Sequence, residues 1–278
     1  MHPRLAASII AAWVLTALPG TTAFAQEGVP PVSQCMALAQ SIPGATYADF
    51  TPDAPLPVKQ AAGPGEVHIR YAAHSTYVIT TPSGVTIATD YGGWSGGGYV
   101  PRVATMNKAH SSHFTLTPDE GIEYVLPGWG SEAQPADHDL VVEDVYIRNV
   151  TTDIRAYGAM EADANSIFIF EVADLCIGHL GHLHHPLENN HYAEIGRLDI
   201  VMVPVDGGLT LSHTGMSEIV KRLHTSIVLP MHRRGRPLSQ FITMMGEDFE
   251  TDYRLEDGFT VSLRTLPRRP TIIVLQGV

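Results

Sequence analysis

Apolar residues recur in two modes along this chain, and the shift between them shows how it is organised. From Val67 onward, short apolar or alternating runs follow one another: Val67–Tyr71, Thr76–Thr81, Val85–Thr89, Val103–Met106, Ile122–Leu126, Leu140–Val150, Ser166–Val172 and Leu175–Ile177. Runs of this length, rich in β-branched residues and broken by turns such as Pro82-Ser83-Gly84, predict strands. The first three predict an antiparallel meander. Further strands are predicted at Asp199–Val205, Ser226–Pro230, Phe249–Leu255, Val261–Leu263 and Thr271–Leu275. Helical spacing interleaves with them at Ser212–Leu223 and Leu238–Gly246, and in part of the polar stretch ending at Arg197. Strands dominate early and strand–helix alternation follows, which predicts an α+β chain whose two similar halves can face each other.

Upstream the pattern changes. Met1 to Arg4 is a short positive start, Leu5 to Leu18 is almost wholly apolar, and Ala23-Phe24-Ala25 is a small-residue cleavage signal. Residues 1–25 therefore read as a secretory signal peptide cleaved after Ala25. The apolar run is shorter than the roughly 20 residues of a membrane span. The expectation is a periplasmic or secreted protein with no stable membrane insertion after cleavage. Residues 26–64 form a lead-in with one helix signal at Val32–Ser41 and then a Pro- and Ala-rich stretch. Residues 65–278 are long enough for a single domain with a substantial core.

Charge and cysteine content narrow the chemistry. The formal net charge is −12, and one unit more negative without Arg4. An acidic protein repels nucleic acid and anionic membranes, so a small-molecule substrate is the expected partner. Cys35 and Cys176 can pair in an oxidising compartment; with Cys35 on the lead-in helix and Cys176 on a buried strand, two separate buried thiols are slightly favoured over a disulfide. The glycine-dense loop after Asp90 lacks the strand and helix context of a dinucleotide site.

Histidine is the chemical signal. His179, His182, His184 and His185 crowd the end of one predicted strand, Lys108-Ala109-His110-Ser111-Ser112-His113 follows another, and Leu229-Pro230-Met231-His232 ends a third. Imidazoles brought to one edge by separate strands suit zinc or a similar divalent ion. The predicted ligands are His110, His113, His182 and His232, His182 being favoured in its cluster because Gly181 permits close approach. His74, Asp90, His179 and His185 are placed behind the ligands or against substrate, and His184 behind them or in solvent. For His74 a packed, hydrogen-bonded role is the alternative. Asp206, beside Gly207-Gly208, can accept from a ligand imidazole or a metal-bound water, or simply form a turn.

The order of these features resembles the metallo-β-lactamase superfamily, and within it the lactonase-like branch, from about Gly65 to the C-terminus. The resemblance implies an αββα sandwich with one or two metals at the sheet edge, under an H-x-H-x-D-H signature followed by a His, a Gly-Asp and a final His. His110 and His113 match, Lys108 stands at the first His and Ser112 at the Asp. Gly181-His182 stands at the Gly-Asp, Val150-Thr151-Thr152 lies where the middle His would fall, and His232 is the final His. His74-Ser75 resembles the branch's early Gly-His-Ser, and Asp90 its early structural Asp. Without the two motif carboxylates, nothing offsets the repulsion between two dications, so one zinc-type ion is expected. With an open position, such an ion brings the pKa of its water toward about 7 and supplies hydroxide. Lys108 then lies where it can steady an oxyanion, and Asp206 assists. The expected function is hydrolysis of a small ester, lactone or phosphoester. The alternatives are a non-catalytic protein of the same fold that binds a metal or small ligand, or a His-rich metal buffer. Fold resemblance does not carry substrate.

Overall fold

The computed structural model describes residues 33–36 and 63–278, except Glu132 and Tyr157. The expected signal peptide and nearly all of the lead-in lie outside the described residues, as does most of the helix expected at Val32–Ser41, of which residues 34–36 are described as helical.

The elements run β1 (Val67–Ala73), β2 (Thr76–Thr80), β3 (Thr86–Ala88), β4 (Val103–Met106), β5 (Tyr124–Pro127), β6 (Asp139–Val142), β7 (Val145–Ala156), β8 (Ala159–Val172) and β9 (Leu175–His179). They continue with α1 (Asn189–Ile195), β10 (Ile200–Pro204), α2 (His213–Leu223), β11 (Ile227–Met231), α3 (Leu238–Met245), β12 (Glu250–Tyr253), β13 (Gly258–Val261) and β14 (Thr271–Val274). One sheet has the order β13-β1-β2-β3-β4-β5 and the other β12-β14-β11-β10-β9-β8-β7-β6. In the larger sheet β9, β10, β11, β14 and β12 are parallel, while β6 to β9 pair antiparallel.

Successive side chains on a strand point to opposite faces, and the larger sheet uses both. On β8, Phe168 and Phe170 enter the core between the two sheets, with Ile69, Ile79 and Ile87 opposite. Ile167 and Ile169 enter a second core beneath the helices, with Met216, Val220 and Phe241. Every residue of β10 and β11 is buried, as expected of parallel strands covered on both faces. The outer face of the smaller sheet, at Ala88, Ala104 and Met106, is covered by Tyr91, Ile122, Phe114 and Trp129 from loops.

Three predicted strands differ from the observed ones by more than two residues. The run Leu140–Val150 is two strands, because Glu143 takes a left-handed φ of +52° and turns β6 back into β7. The strand expected at Ser166 begins at Ala159, where residues of mixed polarity extend the β7–β8 hairpin past the covered part of the sheet. The strand expected at Val261–Leu263 is Gly258–Val261, and a 3-10 turn occupies Leu263–Thr265.

The cysteines also depart from expectation. Cys35 and Cys176 are joined in a disulfide, with 5.9 Å between their Cα atoms, inside the usual range for a bridge. The sequence pattern could not place the segment around Cys35 against β9. What holds it there is polar: Ser33 donates to the Glu171 carboxylate, as do the amides of Gln34 and Cys35, and the Cys35 carbonyl accepts from the Arg197 amide.

Candidate metal centre

One edge of the sandwich gathers the ends of strands from both sheets. The β1–β2 turn supplies His74 and Ser75, β3 leads to Asp90, and β4 leads to the loop carrying His110 and His113. From the larger sheet, β9 leads to His182, β10 to Asp206 and β11 to His232. His74, Asp90 and His232 have φ of +50°, +44° and +54°. Such conformations are uncommon for residues other than glycine, although Asp and His tolerate them better than most. Each costs on the order of 1 kcal/mol and persists only when its surroundings enforce it. Here the His232 amide donates to the His74 carbonyl at 2.7 Å, and the Asp90 carbonyl accepts from the Thr76 hydroxyl at 3.0 Å.

The imidazoles converge. His74, His110, His113 and His232 each present a donor nitrogen, and the four atoms lie within 4.8 Å of one another. Nε2 of His110 is also 3.4 Å from Nε2 of His232 and 3.2 Å from Nε2 of His182. Three of the four rings are oriented from behind. His113 Nδ1 faces Asp90 Oδ2 at 2.6 Å and Ser75 Oγ at 3.1 Å. His232 Nδ1 faces Asp206 Oδ2 at 2.9 Å, and His110 Nδ1 faces Ser112 Oγ at 2.8 Å. A carboxylate on Nδ1 fixes the tautomer that leaves Nε2 with its lone pair, the arrangement found behind metal-ligating imidazoles. His74 has no hydrogen bond to its ring among the described residues.

Electrostatics favours neutral rings at His74, His110 and His182 and ionised carboxylates at Asp90 and Asp206. Burial first, and then the neighbouring imidazoles, hold His74 down at about 3. Burial, His113 and His232 hold His110 at about 4, and the same causes with His184 push His182 far below the ordinary range. Burial would raise Asp90, but His179, His113 and Asn107 outweigh it and keep the carboxyl ionised. Asp206 is likewise held well below the usual carboxylate range, against burial, by His232, Thr210 and the amides of Gly208 and Thr210.

The remaining candidates are spoken for. His179 is fully buried; its Nε2 donates to the Ser75 carbonyl at 2.8 Å and its Nδ1 accepts from the Gly181 amide at 3.1 Å. His184 and His185 accept from the amides of Arg155 and Asp153, where a bulge interrupts the β7–β8 register. Lys108 is half exposed and ion-paired with Glu161. Three supporting residues escaped the sequence pattern. Ser75 bonds His113 and, through its carbonyl, His179. Asn107 bonds Asp90 and the Ser166 backbone, tying one sheet to the other, and Asn165 holds the His182 amide at 2.7 Å. Asn-Lys after a strand carries no chemical flag, and the role of Asn107 emerges only from the packing of the two sheets.

The donor set fits a divalent ion. Nε2 of His74 and of His113 are buried and have no hydrogen-bond partner among the described residues, a costly state that a cation would relieve. A family model described as a beta-lactamase superfamily domain matches residues 68–232, more than half of the chain. The chain belongs to the beta-lactamase superfamily. Among solved structures, this superfamily member is similar to a Zn-dependent hydrolase of the metallo-beta-lactamase superfamily from Thermotoga maritima: 22% identity, 75% of this chain, 98% of that one, TM-score 0.55. A metal-dependent hydrolase from Parabacteroides distasonis is similar at 12% identity over 65% of this chain and 89% of that one, TM-score 0.52. A metallo hydrolase from Ignicoccus hospitalis is similar at 16% identity over 71% and 98%, TM-score 0.50. At these identities the likeness establishes the metallo-β-lactamase α+β sandwich fold. No curated protein sequence matches it.

Proposed function

We propose that this superfamily member is an exported hydrolase of a small ester, lactone or phosphoester that works with a single zinc-type ion. The observation that carries this is the set of imidazoles with converging nitrogens, three of them oriented from behind by Asp90, Ser112 and Asp206. The Thermotoga maritima protein of the same fold is described as Zn-dependent. A bound ion would act as a Lewis acid and bring the pKa of water toward about 7.

The chain's own residues supply the rest. His110, His113 and His232 would hold the ion, and His74, whose ring has no hydrogen bond among the described residues, would be the exchangeable neighbour. Asp90 and Asp206 stand behind the imidazoles, so two negative charges balance one dication. Among the described residues no carboxylate joins the four grouped nitrogens to bridge a second ion. Lys108 would swing from Glu161 to steady an oxyanion, because an exposed ion pair holds it by only about 1 kcal/mol or less.

A second reading is favoured by one feature: four imidazoles within 4.8 Å can close a coordination sphere and leave no position for substrate. Zinc analysis with an aryl ester, a lactone and an aryl phosphodiester as substrates separates the two. One equivalent of zinc, with turnover abolished by chelator and restored by zinc, supports the hydrolase. One equivalent with no turnover on any of the three supports the closed site.

A further inference from the structure

The hydrogen bonds behind His182 run differently from those behind the other imidazoles. The Arg155 amide donates to Nδ1 of His184 at 2.5 Å. An amide nitrogen can only donate, so this Nδ1 carries a lone pair and the ring bears its single proton on Nε2. His184 Nε2 lies against His182 Nδ1 in a short hydrogen bond. His184 is therefore the donor and His182 Nδ1 the acceptor; the reverse direction would require His184 to be an anion. By the same rule His182 carries its proton on Nε2. That nitrogen, on a side chain only 3% exposed, is 3.2 Å from His110 Nε2. A metal ligand must offer a lone pair. His182 offers an N–H.

We propose that His182 is a hydrogen-bond donor to a substrate oxygen at the metal centre rather than a metal ligand, its tautomer set by the Arg155 amide acting through His184. This rests on the metallo-hydrolase reading above. Once the His110 lone pair is committed to a cation, the His182 N–H loses that acceptor and faces whatever oxygen shares the site. A preoriented donor in a buried site is well suited to a developing negative charge. The surroundings hold the arrangement in place. The His182 amide donates to Asn165, and Gly181, at φ +61°, leaves room that a Cβ would fill at 2.3 Å from Asn165 Oδ1. The register break between Thr152 and Ile154 lies beside the two amides that bond His185 and His184, a way in which bulges commonly re-aim groups beside functional sites. His74, rather than His182, completes the set of four close nitrogens.

The test compares wild type, His182→Ala and His113→Ala for zinc content and affinity, alongside nitrogen-15 spectra of the histidine rings in zinc-loaded wild type. His182→Ala is expected to keep its zinc with less than about a tenfold change in affinity, below the range for removing even an outer partner of a ligand. Its turnover should fall by about 100-fold, as for loss of one oxyanion donor, while His113→Ala loses the ion. The spectra should show a proton on His182 Nε2 and zinc on Nε2 of His113. A zinc-bound nitrogen on His182, or loss of zinc from His182→Ala, overturns the proposal. If His182→Ala does not fold, the wild-type spectra decide alone. Wild type that binds no zinc instead removes the metallo-hydrolase reading itself.

Discussion

At the scale of single residues, the centre separates groups that orient ligands from groups that would meet substrate, and substitution should separate them too. Asp206 accepts from His232, from the Thr210 hydroxyl and from the amides of Gly208, Leu209 and Thr210, so its position is fixed independently of any ion. Asp206→Asn removes the charge behind His232 and offers an amide N–H where an acceptor is needed. Zinc affinity should drop by about 10- to 100-fold, read by competition with a chromogenic chelator, with a thermal melt to confirm folding. Among the described residues the Lys108 ammonium pairs with Glu161 alone, at the surface. Lys108→Ala should leave zinc content unchanged and lower turnover by up to about 100-fold. Zinc loss in Lys108→Ala, or unchanged turnover, would remove its proposed role.

At the scale of elements, strands with a dry face were legible and those without one were not. Val103–Met106 is found as expected, since Val103, Ala104 and Met106 are apolar and all four residues, Thr105 included, are buried. The far part of the β7–β8 hairpin was hidden, because Ala159-Met160-Glu161-Ala162-Asp163 pairs with β7 where little is buried to mark a period. The strand ends bearing His110, His113, His182 and His232 were readable from sequence. The direction of a hydrogen bond, on which the role of His182 turns, and the grouping of His74 with the other three were not. One contact between elements of different sheets can be tested alone. Asp144, in the β6–β7 turn, accepts from Thr81 Oγ1 at 2.7 Å and from the Ser83 amide at 2.9 Å, in the β2–β3 turn. Partial burial would raise its pKa, but the hydrogen bonds from Ser83 and Thr81 prevail and lower it. A carboxylate lowered by folding stabilises the protein above its unfolded pKa of about 4 and ceases to do so as pH falls through the folded value. Asp144→Ala should therefore cost about 1 kcal/mol at neutral pH in urea unfolding, the scale for an exposed hydrogen-bonded carboxylate. The difference from wild type should shrink below about pH 4. A gap of the same size in acid would show that the turns are held by something other than this charge.

At the scale of the whole molecule, the Cys35–Cys176 bridge spans 141 residues of sequence. It fastens the segment before the sandwich to the start of β9, and the same strand carries the site at its other end. Cys176 is three residues from His179, about 10 Å along a strand, and its side chain lies in the core under the helices rather than at the imidazoles. Closing so long a loop restricts the unfolded chain, so losing the bridge should cost about 2–5 kcal/mol. Glu171 and Arg197 would still hold residues 33–35 in the reduced protein, and the metal centre should not sense the change. The double variant Cys35→Ser with Cys176→Ser is thus expected to melt at lower temperature and to bind zinc as wild type does. The bridge also bears on where the protein works, because disulfides persist in oxidising compartments, which supports the export proposed from its first 25 residues. Protein expressed from the full 278-residue sequence and recovered from a periplasm should show no free thiol on titration under denaturing conditions, and reductant should lower its melting temperature to that of the double variant. Two free thiols in that preparation would count against both the bridge and the proposed export. A bridge present but without effect on melting would instead mean that the polar contacts of Glu171 already fix the segment.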